Sequence, residues 1–132
     1  MLDHLGLTSA DLARSKTFFL QALAPLQIDV VMEVSAEQTG DHDHVGFGSD
    51  GKPFFWLGNG GTASHGVHVA FACARRAQVD AFHAVVAAGG RDNGAPGLRP
   101  WYHPDYYAAF VLDPDGNNIE AVCHLPADGA AA

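Results

Sequence analysis

Cationic side chains are scarce in this sequence of 132 residues. Seven Lys and Arg stand against fifteen Asp and Glu, a net charge of −8 with His neutral. A chain so acidic is a poor partner for nucleic acid or an anionic membrane surface, and neither is expected. Cysteine is nearly absent. Cys73 and Cys123 sit in strand-like runs and read as small buried hydrophobes, not as a disulfide framework. No apolar run reaches transmembrane length and no secretory leader is evident, so a cytoplasmic location is expected. A Gly-rich phosphate loop and a Ser-His-Asp arrangement are also missing. What remains is a folded composition, 48% hydrophobic, of a length that suits one domain or two small halves sharing a core. Eight His are many for that length, and neutral imidazole is the commonest metal ligand.

Residues 2–8 alternate, with Leu5 and Leu7 on one face and His4, Gly6 and Thr8 on the other. Ser9 and Asp11 are helix starters, and residues 11–24 carry Leu12, Phe19 and Leu23 on one stripe, ended by Pro25. Residues 28–34 read as a strand, 35–44 as a loop, and 45–48 and 53–57 as two short strands. A Gly-rich connector at 58–65 marks a boundary between halves. The pattern then restarts. Residues 66–73 alternate, with Val69, Phe71 and Cys73 opposite His68, Ala70 and Ala72. Residues 75–88 show helical spacing and end at Gly89-Gly90, with no capping side chain ahead of them. Residues 91–105 read as irregular, 106–112 and 117–123 as strands, and the tail from 126 to 132 as frayed.

A shift of 64 residues lays one half on the other: His4 meets His68, Phe18 meets Phe82, and Pro25 meets Gly89 without a gap. Each half, about 1–60 and 65–125, reads strand-helix-strand-strand-strand within a single domain spanning 1–132. The same shift places Trp56 opposite Glu120.

Three polar side chains stand in apolar strands. Glu120 follows the turn Asp113-Pro114-Asp115-Gly116-Asn117 and lies among Ile119, Ala121 and Val122. A carboxylate there needs a partner, a metal or a wet cavity. His4 and His68 occupy equally apolar strands, on faces shared with small residues. Taken alone, each His reads more readily as a hydrogen-bonded strand residue and Glu120 as a residue on a solvated face. Together, two imidazoles and a carboxylate brought toward one pseudo-twofold axis suit a divalent metal with open positions.

These residues carry a resemblance to a known family. His4 with Asp11-Leu12-Ala13-Arg14-Ser15 seven residues on, the run His68-Val69-Ala70-Phe71, the pair Gly89-Gly90, and Asp113-Pro114-Asp115-Gly116 with Glu120 are similar to the vicinal-oxygen-chelate superfamily. Its members include glyoxalase I, bleomycin-resistance proteins, fosfomycin-resistance thiol transferases and extradiol dioxygenases. The resemblance implies an α+β fold of paired βαβββ modules forming an open, cupped mixed sheet. It also implies a divalent metal (zinc, nickel, manganese or iron) on His4, His68 and Glu120, with Glu120 as ligand and proton carrier. A small oxygen-bearing substrate and a homodimer are expected with it. Glyoxalase I enzymes place a second Glu where this chain has Trp56, which cannot ligate. A metal-free relative of the bleomycin-resistance type is the alternative.

Around that site, Phe54 and Trp56 are expected to share a pocket face, and Tyr102, His103 and Tyr107 come from an aromatic run ahead of a strand that suits either a pocket wall or edge packing. His42 and His44 flank Asp43 and read as a solvated loop, with a second metal site as the alternative.

Overall fold

The chain was described by a computed structural model covering residues 1–87 and 90–127. It divides into two compact units, Met1–His65 and Gly66–Ala132. The first contains β1 (Leu5–Thr8), α1 (Leu12–Leu23), β2 (Asp29–Val34), α2 (Ala36–Thr39), β3 (His44–Ser49) and β4 (Lys52–Gly58). The second contains β5 (His68–Ala72), α3 (Arg76–Ala87), β6 (Arg91–Leu98), β7 (Tyr107–Leu112) and β8 (Asn118–Cys123). Their sheets are ordered β1-β4-β3-β2 and β5-β8-β7-β6, open at both edges. In each, the first strand runs parallel to the last and the remaining pairs are antiparallel. These are the βαβββ modules that the repeat implied.

The repeat reaches into the hydrogen-bond register. Leu5 pairs with Phe55 and Gly46 with Trp56 in the first unit; Val69 pairs with Ile119 and Phe110 with Glu120 in the second. Adding 64 to the first set gives the second (5 to 69, 55 to 119, 46 to 110, 56 to 120). The size order is inverted across one pair: glycine faces Trp56, whereas phenylalanine faces Glu120.

One face of each sheet is covered by its helix. Asp11 caps α1 by accepting from the Arg14 amide at 3.1 Å. The helix then buries Phe19 against Phe55 and Phe47, with ring centroids 4.9 and 6.2 Å apart. Burial of each such ring contributes on the order of 2 kcal/mol. In the second unit α3 packs on β6, β7 and β8 and buries Val79, Phe82 and Val86. Its missing N-cap is supplied from inside the helix: Gln78 Oε1 accepts from the amides of Ala74 and Arg75, each at 3.0 Å.

Three sequence expectations need correction. Residues 91–98 are a strand, not irregular. β6 is an edge strand, so the missing amide of Pro96 leaves no central ladder bond unmade, and bulges around Gly94 absorb the irregular spacing. The loop at 35–44 contains α2, closed by a capping box in which Ser35 and Gln38 bond each other's backbone. His4 lies just before β1, not within it. Gly89, expected to end α3, and residues 128–132 of the tail lie outside the described residues.

Candidate functional site

In the second unit the parallel pairing of β5 with β8 sets His68 against Asn118 and Ala70 against Glu120. Both Glu120 and His68 therefore project from the sheet face opposite α3. Glu120 is 1% exposed, yet both its oxygens are engaged. His68 Nε2 lies 2.8 Å from Oε1, and the Tyr106 hydroxyl donates to Oε2. The His68 ring remains half exposed. Phe110, directly across the ladder from Glu120, walls the carboxylate, and its ring centroid lies 6.2 Å from that of His68. Burial, followed by the bond to Glu120, pushes the Tyr106 hydroxyl up to about 12, so it remains a donor throughout the physiological range.

The turn before β8 brings the two residues side by side. Asp113 is 2% exposed; its Oδ1 accepts from the amides of Asp115 and Asn117, at 2.9 and 2.8 Å. Asn117, 1% exposed, donates through Nδ2 to Asp113 Oδ2 at 3.0 Å and accepts the Val67 amide at 3.0 Å. A single side chain thus ties the start of β8 to the residue before His68. Gly116, at φ 86°, permits the tight reversal.

In the first unit His4 precedes β1, and its Nδ1 lies 2.6 Å from Asp3 Oδ2. An Nδ1–H donated to that carboxylate leaves the Nε2 lone pair outward, the arrangement a metal-ligating imidazole uses. Lys52 Nζ, 2.7 Å from Asp3 Oδ1, holds the same carboxyl down, to about 2, with His4 adding to the effect. A cavity of about 410 Å³ is lined by His4, Gly6, Val34, Thr39, His44 and Trp56. The Trp56 indole lies over Gly46, where a Cβ would approach Trp56 Cη2 to 2.9 Å. Only glycine at 46 leaves the ring that seat.

The other expected pocket residues separate. Phe54 is half-buried and alternates along β4 onto the Trp56 face. His103 Nε2 meets His124 Nδ1 at 2.9 Å, and the Tyr102 ring packs at a tilt on Tyr106, 4.7 Å between centroids. Both therefore belong to the ring cluster beside the Glu120–Tyr106 bond. Tyr107 points to the helix-covered face, where its hydroxyl donates to Asp80 of α3 and Arg76 lies 5.1 Å over its ring. His42 pairs with Asp41 at 2.7 Å, whereas His44 opens β3 and lines the Trp56 cavity instead of standing in a loop. Sequence reading missed Tyr106 as a partner of Glu120. The signal was available in parity: the 113–117 turn sets Phe110 opposite Glu120, and Tyr106 shares the parity of Phe110.

A family model of the Glyoxalase/Bleomycin resistance protein/Dioxygenase superfamily matches residues 1–121. The chain belongs to this superfamily. Among solved structures, a glyoxalase/bleomycin resistance protein from Albidiferax ferrireducens T118 is 31% identical, with 94% of this chain and 98% of that chain covered and a TM-score of 0.73. Glyoxalase I from Zea mays is 21% identical over 93% of this chain and 46% of its own, with a TM-score of 0.70. The fosfomycin resistance protein FosX from Listeria monocytogenes, solved with Mn(II) and a sulfate ion, is 16% identical over 93% of this chain and 91% of its own, with a TM-score of 0.65. No curated protein matches the sequence. The last two similarities establish the superfamily fold.

The donor chemistry at Glu120 suits a divalent ion. Nitrogen and oxygen ligands about 2.1 Å from a metal at right angles stand about 3 Å apart, close to the 2.8 Å between His68 Nε2 and Glu120 Oε1. Among the described residues, neither unit by itself brings three His, Cys, Asp or Glu side chains together. In the second unit, His68 and Glu120 supply two donors.

Proposed function

We propose that this superfamily member is a divalent-metal enzyme acting on a small oxygen-bearing molecule, with His4, His68 and Glu120 as the protein ligands. The observation that carries this reading is the Glu120–His68 pair. A carboxylate 1% exposed, 2.8 Å from Nε2 of a half-exposed imidazole, sets an oxygen donor out of solvent beside a nitrogen donor. His4 enters through its place in the 64-residue repeat, and an Nδ1–H donated to Asp3 would leave its Nε2 as the ligating nitrogen. The two units then serve one functional domain over residues 1–132.

Bound there, zinc, nickel, manganese or iron would supply a Lewis acid that polarises adjacent substrate oxygens. Glu120 would serve as ligand and, through the lone pairs that its Tyr106 and His68 bonds leave, as proton carrier; Phe110 stands directly across the ladder from it. The Trp56 indole, seated on Gly46 and lining the cavity with His4 and His44, offers a stacking surface for an aromatic or acyl group. Trp56 stands where glyoxalase I has its second Glu, so a single carboxylate handles the proton. Turnover of the glutathione hemithioacetal of methylglyoxal is therefore expected to be weak or absent. The open edges β1 and β2, β5 and β6 would be covered in a homodimer.

The test is elemental analysis of protein purified without chelator. About one divalent ion per chain in the wild type, lost in His68→Ala, supports the assignment. A metal-free wild type that binds aromatic ligands tightly without converting them would make it a sequestering protein of the bleomycin-resistance type.

A further inference from the structure

Glu120 Oε2 already accepts the Tyr106 hydroxyl. We infer that Tyr106 is a positioning residue for Glu120: it reserves Oε2, so that the carboxylate meets a divalent ion through Oε1 alone. This rests on the metal reading above and adds to it the mode of ligation.

The geometry comes from three sides. The Tyr106 hydroxyl donates to Oε2 while Oε1 faces His68 Nε2, so the two oxygens have different tasks. The Tyr106 ring has little freedom. It packs at a tilt on Tyr102, with centroids 4.7 Å apart, and meets the edges of His103 and His124 at 5.5 and 5.3 Å. Its backbone is fixed as well: the Tyr106 amide donates to His103 O at 3.2 Å, and its carbonyl accepts the Arg99 amide at 2.7 Å. In the first unit the 64-residue shift maps Tyr106 onto His42, an imidazole that pairs with Asp41 at 2.7 Å.

A carboxylate free at both oxygens can ligate through one or both. One whose second oxygen already accepts a phenol has fewer lone pairs to offer there and meets a metal more readily through the other. The protein then spends one coordination position on Glu120, and one more remains for a substrate that offers two adjacent oxygens. Outer partners of this kind typically change metal affinity about 10- to 100-fold.

The experiment is a Co2+ titration of wild type and Tyr106→Phe, read by visible absorption. Phe preserves the ring contacts and removes only the hydroxyl. The expected result is a Co2+ affinity about 10- to 100-fold weaker in Tyr106→Phe, with displaced absorption bands reporting a changed ligand set. A Tyr106→Phe protein that melts lower but binds Co2+ with wild-type affinity and bands would have lost a structural bond only, and would overturn the inference. A wild type that takes up no Co2+ would instead overturn the metal reading, and this inference with it.

Discussion

Replacing Asn117 with Ala tests whether one side chain aligns the two candidate ligands. Asn117 is 1% exposed and makes at least two bonds, to the Val67 amide and to Asp113 Oδ2, each 3.0 Å long. Ala makes neither. The Asp113 carboxylate loses a buried donor, at a cost of about 2 kcal/mol, and the part-buried Val67 amide costs about 1 kcal/mol more. The sum of about 3 kcal/mol is a large part of a domain's usual total of about 5–15 kcal/mol. With a urea m-value of about 1.5 kcal/mol per molar, the unfolding midpoint falls by about 2 M. Equilibrium unfolding followed by tryptophan fluorescence measures it. The neighbouring Asn118 is the control. Its side chain accepts from Asn93 Nδ2 at 3.1 Å in an exposed setting, so Asn118→Ala should cost about 0.5 kcal/mol or less. If Asn117→Ala costs no more than Asn118→Ala, the turn does not hold β5 to β8 and the reasoning fails. If Asn117→Ala folds at low urea, its divalent-metal affinity should also fall, because the residue before His68 has lost its anchor.

Three further outcomes are expected. Burial, followed by the bond to Asp80, pushes the Tyr107 hydroxyl up to about 12. A raised pKa favours the folded state below the unfolded value near 10, and that contribution is lost as pH rises toward 12, so Tyr107→Phe should flatten the alkaline fall in stability between those pH values. An unchanged slope would count against the Asp80 bond. The Cys73 thiol, pushed up to about 11 by burial and the nearby Cys123, should be about one part in a thousand thiolate at pH 8 and react with a disulfide reagent far more slowly than free cysteine; labelling at the free rate would contradict this. Gly46→Ala sets a Cβ 2.9 Å from Trp56 Cη2 and 3.0 Å from Pro53 Cβ, so the half-buried indole must move, which changes Trp56 emission in a Trp101→Phe background; unaltered emission would show that the ring does not rest on Gly46.

Much of the architecture was legible in order along the chain. Alternation assigned the faces of β1 and β5, Asp11 announced α1, and a gapless shift of 64 residues anticipated the two strand-helix-strand-strand-strand units. Glu120 declared itself as a carboxylate within the apolar run Ile119 to Val122, directly after a turn. These are local signals: a period, a cap, a turn, each read from a few adjacent residues. What escaped depended on distant neighbours. β6 reads as a coil because Pro96 and two glycines interrupt it, and only its edge position beside β7 makes it a strand. Tyr106 and Tyr107 are adjacent and chemically identical, yet one donates to Glu120 and the other to Asp80 of α3. The pleat sends successive residues to opposite faces, so the strand's phase decides which tyrosine meets which carboxylate. The sequence by itself determined the repeat, the helix, the turn and the anomalous carboxylate. The partners of that carboxylate were decided by tertiary structure alone, because register and ring reach exist only once the strands have paired.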